Sequence, residues 1–252
     1  MRIDAPCESH IPRLRAIWRE AFGDSDAFLD SFFTLAYSPD RCRIALDSDE
    51  VVGVLYWFDY TYNVGRLAYI YAVATAKTHR GRGVCGALMT DTARHLATLG
   101  YTGAILVPAE PSLYGFYERL GYTVCSTVRE FREVCGREPA PLEGISAEEY
   151  SLRRLEFLPE GAVIQDEPHT LKLLSLEANF YSGDGFILAA RKNKGELFGI
   201  ELLGDTSAAS GILSALECEC GLFRTVGDTR PFAAYLPLKD AEAPRYFGFA
   251  LD

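Results

Sequence analysis

Three glycines and three cations crowd one short stretch of this chain: Lys77, Arg80, Gly81, Arg82, Gly83 and Gly86. The segment Ala72-Val-Ala-Thr-Ala-Lys-Thr-His-Arg-Gly-Arg-Gly-Val-Cys-Gly-Ala-Leu88 reads as a strand, a basic turn and the opening of a helix. A helix N-terminus offers unsatisfied N–H groups and a partial positive charge. Glycines let the backbone approach an anion closely, and the cationic side chains add charge. Together they would cradle a diphosphate. A glycine-rich turn that merely packs is the plainer alternative. Gly81-x-Gly83-x-x-Gly86 also matches a dinucleotide fingerprint literally. That fingerprint wants its first glycine directly after a strand, and here Lys-Thr-His-Arg intervene.

About thirty residues further on lies Tyr114-Gly-Phe-Tyr-Glu-Arg-Leu-Gly-Tyr122. With that second landmark in place, Arg80-Gly-Arg-Gly-Val-Cys85 resembles the R/Q-x-x-G-x-G/A acetyl-CoA signature of the GNAT N-acetyltransferases. The 114–122 string resembles the family's F-Y-x-x-x-G-F/Y motif. The wider string from Val73 to Gly83 is similar to the version in the Eis-type aminoglycoside acetyltransferases. The resemblance covers roughly residues 1–135, and Cys85 stands where the signature has Gly or Ala.

The resemblance implies acetyl-CoA as co-substrate, with no metal. It implies a strand at Val73, Ala74 and Thr75 that splays from its neighbour and offers backbone to the pantetheine. It implies a diphosphate held at Arg80, Gly81, Arg82, Gly83, Val84, Cys85 and Gly86. Tyr117 matches the tyrosine that protonates the departing thiolate, with Tyr114 as the alternative three residues earlier. The base that takes the amine proton is left open. Glu110 and Asp59 end strands, but each reads more readily as a plain surface carboxylate than as the base. His79 reads as a CoA or solvent contact, and His95 as an exposed helical residue. The expected activity is direct acetyl transfer to a small-molecule or peptide amine. A non-catalytic acyl-CoA-binding sensor or interaction module is the alternative. Eis-type proteins carry a third, sterol-carrier-like domain for which this chain has no room, so aminoglycosides are not expected acceptors.

Periodicity supplies the elements that must position these groups. Helical spacing covers Ile11–Phe22 and 27–35, and Val84, Leu88, Thr92 and Leu96 mark a helix over 84–99 ended by Gly100. Strands are expected at 43–47, 51–59, Gly65–Thr75, 102–107 and 122–134, with a short helix over 111–119. Two prolines and two glycines between Gly136 and Gly144 mark a boundary. Beyond it, Ser146-Ala-Glu-Glu149 caps a helix, a second helix is expected over 169–180, and a hairpin turns at Lys192-Asn-Lys-Gly195. A helix over 206–216 and strands near Phe223, Ala234 and Phe247 complete the list. This order echoes the first half without visible identity. The expected fold class is α/β (α+β). A GNAT-type mixed sheet flanked by helices spans 1–137, and a smaller, degenerate GNAT-like α/β domain spans 138–252.

The chain has 252 residues, 48% hydrophobic and 24% charged, with net charge −10. This composition excludes a disordered or fibrous chain. The acidity argues against nucleic-acid or membrane-surface binding. The first ten residues do not form a signal peptide, and no apolar run approaches a bilayer's width. Seven scattered cysteines fit reduced thiols and a cytoplasmic protein, free of metal or disulfide frameworks. A homo-oligomer is compatible with this composition. Residues 1–140 carry net charge −2 and residues 141–252 carry −8. The second half is therefore expected to wall the cleft and to favour cationic acceptors. The aromatic alternation at Tyr246, Phe247 and Phe249 predicts a packed final strand, which would fix the Asp252 carboxylates in place.

Overall fold

The computed structural model describes residues 1–63, 65–165 and 168–250. The Asp252 expectation lies outside them. The first half runs β1 (Arg2–Asp4), α1 (Ile11–Phe22), α2 (Asp26–Leu35), β2 (Cys42–Asp47), β3 (Glu50–Tyr62), β4 (Gly65–Thr75), α3 (Val84–Thr98), β5 (Gly103–Leu106), α4 (Tyr114–Glu118) and β6 (Thr123–Val134). The second half runs β7 (Leu142–Ile145), α5 (Ala147–Arg154), α6 (Pro168–Leu174), β8 (Asn179–Gly183), β9 (Phe186–Asn193), β10 (Glu196–Gly204), α7 (Ala209–Ala215), β11 (Cys220–Val226) and β12 (Arg230–Pro237).

All twelve strands share one sheet, in the order β1-β2-β3-β4-β5-β12-β6-β11-β10-β9-β8-β7. This order is symmetric about the central β12–β6 pair. Outward from the centre, β5 pairs parallel with β4 on one side, and β11 pairs parallel with β10 on the other. Antiparallel ladders then continue to both edges. Each half lends its last strand to the other: β6 lies against β11, and β12 lies against β5. The echo in element order is therefore a real repeat of topology, closed by reciprocal strand exchange.

Helices cover both faces. On one face Leu14, Ile17 and Trp18 of α1 and Phe32 of α2 share a core with Tyr150 of α5, Leu171 of α6 and Phe247. Their spacing of three and four along α1 is what makes that stripe. Gly23, at φ +77°, ends α1, and the Ser25 hydroxyl accepts from the Phe28 N–H to start α2. On the other face α3 packs through Val84, Leu88, Met89 and Leu96 against Leu55, Trp57 and Tyr101. Farther along, Ile212 and Leu213 of α7 cover Leu188 and Phe223. Among the described residues no helix is long and apolar enough to cross a membrane.

In the second half a charged group sits at the centre of the core. Arg154 and Glu201 are 2% and 0% exposed, and Arg154 Nε donates to Glu201 Oε2 at 2.6 Å. The Tyr150 and Tyr246 hydroxyls donate to the same carboxylate at 2.7 and 2.9 Å. A buried ion pair survives only with its remaining lone pairs satisfied, as here.

Four expectations are corrected. The helix expected over 169–180 stops at Leu174, and Phe180 belongs to β8, paired with Ile145 and Ala189. Sheet pairing outweighs the local apolar run there. The final segment is packed, with Tyr246, Phe247, Phe249 and Ala250 at 0–3% exposure, but its described residues form no strand. Among them only Tyr246 makes a bridge, to Ala162. The helix expected over 111–119 begins as a 3-10 turn, Pro111–Leu113. His95 is half-buried against Trp57, and burial lowers its pKa.

Candidate active site

The basic loop folds as an open helix start. Gly81 and Gly83 have φ of +72° and +79°, the left-handed region that favours glycine. Gly83 is the residue before α3, and no side chain caps the helix there. The first intrahelical bond is Ala87 N–H to the Gly83 carbonyl, at 3.0 Å. The N–H groups of Val84, Cys85 and Gly86 therefore have no partner within the helix. A Cβ on Gly81 or Gly83 would meet nothing within 4 Å, so the loop faces open space. Arg82 is exposed, and Arg80 folds back so that its Nε donates to the Thr75 carbonyl at 3.1 Å. Gly53 of β3 seats the helix: a Cβ there would lie 2.9 Å from Val84 Cγ1.

β4 breaks its ladder where the sequence leads into this loop. It pairs with β5 only from Leu67 to Tyr69, against Gly103 to Ile105. Beyond Tyr69 the two parallel strands part. On the β3 side, Val54 opposes Ala74 while Tyr56 opposes Tyr71, so Ala72 and Val73 together face Leu55. This is a β-bulge, and Ala72 takes φ +48° within it. A left-handed alanine costs roughly 1 kcal/mol, which the surrounding ladder must hold. Ala74 and Thr75 remain paired to β3.

The parted strands open a cleft of about 600 Å³. Tyr71, Ala72 and Val73 line it from β4, Leu106 to Ala109 from the end of β5, and Tyr117 from α4. Tyr117 is half-buried, edge-on to Tyr122 with ring centroids 5.9 Å apart. No hydrogen bond among the described residues uses its hydroxyl. Burial, and then the neighbouring Cys85 thiol, raises its pKa. Burial likewise pushes the Cys85 thiol up to about 11. The structure thus brings Val73, Cys85 and Tyr117, far apart in sequence, into one packed cluster. Tyr114 differs: its hydroxyl donates to the Phe232 carbonyl at 3.0 Å.

Neither carboxylate singled out in the sequence lines the cleft. Glu110 is exposed and accepts from the Ser112 hydroxyl, and Asp59 lies with Tyr101 and Arg66. The carboxylates that do line it are Asp24, in the α1–α2 corner, and Glu177, after α6. The Gly-Asp-Ser-Asp run around Asp24 signals only a helix boundary, and nothing in the sequence signals Glu177. Arg191 and Arg230 also line the cleft. The second half's acidity is therefore not carried by the wall it presents: that wall holds Glu177 with two arginines. His79 sits near the loop, with Nδ1 2.9 Å from the Thr78 hydroxyl and Nε2 3.7 Å from Asp47. Among the described residues no group of three His, Cys, Asp or Glu could hold a metal ion.

The helix at the same topological place in the second half, α7, is entered through a 3-10 turn, Thr206–Ala208, that Asp205 caps: its carboxylate accepts from the Ser207 N–H at 2.9 Å and sets a negative charge where the first half has arginines.

Residues 2–125 match the family model described as an acetyltransferase (GNAT) domain. The fold is that of the GNAT acetyltransferases. A GCN5-related N-acetyltransferase from Kribbella flavida superposes with TM-score 0.68 at 19% identity, covering 94% of this chain and 72% of that one. Eis1 from Mycobacterium abscessus superposes with TM-score 0.66 at 15% identity, covering 95% and 74%. A putative acetyltransferase from Pyrococcus horikoshii gives 0.62 at 18% identity, covering 98% and 93%. Among curated proteins none matches the chain in sequence. The GNAT model ends within β6, whereas the superpositions run through both halves of the symmetric sheet.

Proposed function

We propose that this protein is an acetyl-CoA-dependent N-acetyltransferase that moves the acetyl group directly to an amine. One observation carries the reading: the bulged end of β4 and Tyr117 line the cleft where β4 and β5 part, and Val73, Tyr117 and Cys85 at the uncapped start of α3 pack in one cluster. In this reading the N–H groups of Val84, Cys85 and Gly86, with Arg80, Gly81, Arg82 and Gly83, hold the diphosphate. The backbone of Val73, Ala74 and Thr75 binds the pantetheine arm, and one N–H there polarises the thioester oxygen. Residues 1–137 carry the cofactor side. Residues 138–252 form the opposite wall and lend β12 to the sheet. The seven free cysteines fit a reducing, cytoplasmic setting.

The amine nitrogen attacks the thioester carbon and forms the new C–N bond. The C–S bond breaks, and its electron pair leaves on sulfur. Tyr117, kept protonated by burial, gives that thiolate its proton. The amine's proton passes to water, from which Tyr117 is reprotonated. The products are an N-acetyl amide and CoA thiol. Cys85 takes no part as a nucleophile, since burial holds it as the thiol. The Eis-like loop string from Val73 to Gly83 supports a relation to that branch of the GNAT enzymes.

The test is ligand-induced stabilisation together with release of free CoA thiol. Acetyl-CoA at a hundredfold excess over its Kd should stabilise the fold by about 2.7 kcal/mol. Changing Arg80→Glu and Arg82→Glu together should abolish that shift; an unchanged shift would place the cradle elsewhere. Release of thiol that depends on an added amine supports the enzyme. Binding without release across a broad amine panel would instead support a non-catalytic acyl-CoA-binding module.

A further inference from the structure

The α1–α2 corner arranges one carboxylate among aromatic rings at the mouth of the cleft. Gly23 turns the chain, and Phe22, Asp24 and Phe28 all line the cleft beside Trp18. Trp18 is 1% exposed and holds this group together, with Phe22, Phe28 and Tyr71 at ring-centroid distances of 5.6, 6.1 and 5.6 Å. Tyr71 adjoins the Ala72 bulge, so these rings connect the corner to the point where β4 and β5 part. Phe22 is 44% exposed, so part of its ring is open to a ligand in the cleft it lines. Tyr69 and Phe232 extend the aromatic lining across the cleft.

The charges in the cleft are not equivalent. Glu177 accepts from Arg191 at 3.5 Å, and Arg230 donates to Glu130 at 2.6 Å. Asp24 has a different partner. Its Oδ2 accepts from the Trp18 indole N–H at 2.7 Å, and among the described residues that is its one hydrogen bond. An indole fixes a carboxylate without neutralising it. The result is an oriented negative charge, half-buried, with Oδ1 left for a ligand and aromatic faces beside it. Ammonium groups are attracted to both features.

We infer that Asp24 binds the ammonium form of the acceptor, which gives one proton to water before its nitrogen attacks, and that the ring-lined corner selects a primary amine carried on an aromatic or extended apolar body. This rests on the acetyltransferase reading for the reaction, but the binding it describes does not. Polyhydroxylated amines and polyamines would leave the rings facing polar groups, at a desolvation cost. They should therefore be poorer acceptors than arylalkylamines of the same basicity.

The experiment uses the full chain with 2-phenylethylamine, spermidine and glucosamine, and 2-phenylethanol as the uncharged control. Binding is followed by calorimetry and by tryptophan fluorescence, with and without CoA, and turnover by thiol release. 2-Phenylethylamine should bind more tightly than the two polar amines. Asp24→Asn should weaken it by ~10–100-fold, the scale of a lost hydrogen bond to a charged group. The same variant should leave 2-phenylethanol and acetyl-CoA binding unchanged. Equal or tighter binding of spermidine or glucosamine would overturn the inference, as would Asp24→Asn binding 2-phenylethylamine like wild type. Phe28→Leu is a milder second variant that keeps the corner filled, and it should weaken both phenyl compounds alike. Binding as expected but without turnover would sink the acetyl-transfer reading and leave this one standing.

Discussion

Tyr114 and Phe232 lie 118 positions apart and meet through one hydrogen bond, from the tyrosine hydroxyl to the phenylalanine carbonyl at 3.0 Å. Tyr114 opens α4, which carries Tyr117. Phe232 lies on β12, the strand that the second half inserts between β5 and β6. The helix bearing the proposed acid is thus anchored to a strand made a hundred residues later.

This coupling predicts that residues 1–137 do not fold alone. Without the second half, β5 loses β12, β6 loses both β12 and β11, and Phe232 and Tyr235 leave the core. The truncated chain should be insoluble or lack a cooperative melting transition. A sharp transition in calorimetry would contradict this. The milder Tyr114→Phe should cost about 1 kcal/mol of stability, as for a typical hydrogen bond. Its turnover should stay near wild type, because its hydroxyl is already committed.

Tyr117→Phe should retain acetyl-CoA affinity and lower turnover by ~10²–10⁴-fold, the range for a lost general acid. The raised pKa of Tyr117 adds a pH signature. The acid form persists above the ordinary tyrosine range of about 10, so wild-type kcat should show no fall from this group up to that pH. Wild-type turnover in the variant would remove Tyr117 from the mechanism.

Cys85, with its thiol held near 11, should resist alkylation at pH 8 while Cys7 and Cys135, both exposed, react. Mass spectrometry of partly labelled protein reads the order directly. Cys85→Ala should keep turnover within a few-fold of wild type. A trapped acetyl-Cys85 would contradict direct transfer.

Glu201→Gln should destabilise the fold by ~3–5 kcal/mol, because Arg154 would remain buried without its counter-charge. Burial raises the Glu201 pKa, but Arg154 and the hydrogen bonds to the carboxylate outweigh it, leaving the group below its ordinary value. A depressed carboxylate contributes stability above its unfolded pKa, and that stability is lost as pH falls through the folded value. Wild type should therefore lose more denaturation free energy than Glu201→Gln between pH 5 and 2. Parallel pH curves for the two proteins would refute this.

The sequence by itself determined the local elements and the glycine-rich opening of α3. Ile11–Phe22 and Gly65–Thr75 are read correctly to the residue, because helix and strand periods, Gly23 and the basic turn are local signals. Gly81 and Gly83 announce themselves because positive φ at an open helix start selects glycine. Long-range pairing decided the rest. Phe180 is written as helix by its neighbours and made strand by Ile145 and Ala189. No local pattern encodes that β12 crosses to β5, since a strand's own side-chain pattern does not name its partner. The cleft wall is likewise a tertiary product. Asp24 reads as a helix boundary, and only the packing of Trp18 beside Tyr71 and the β4 bulge sets its carboxylate among the rings of an open cleft.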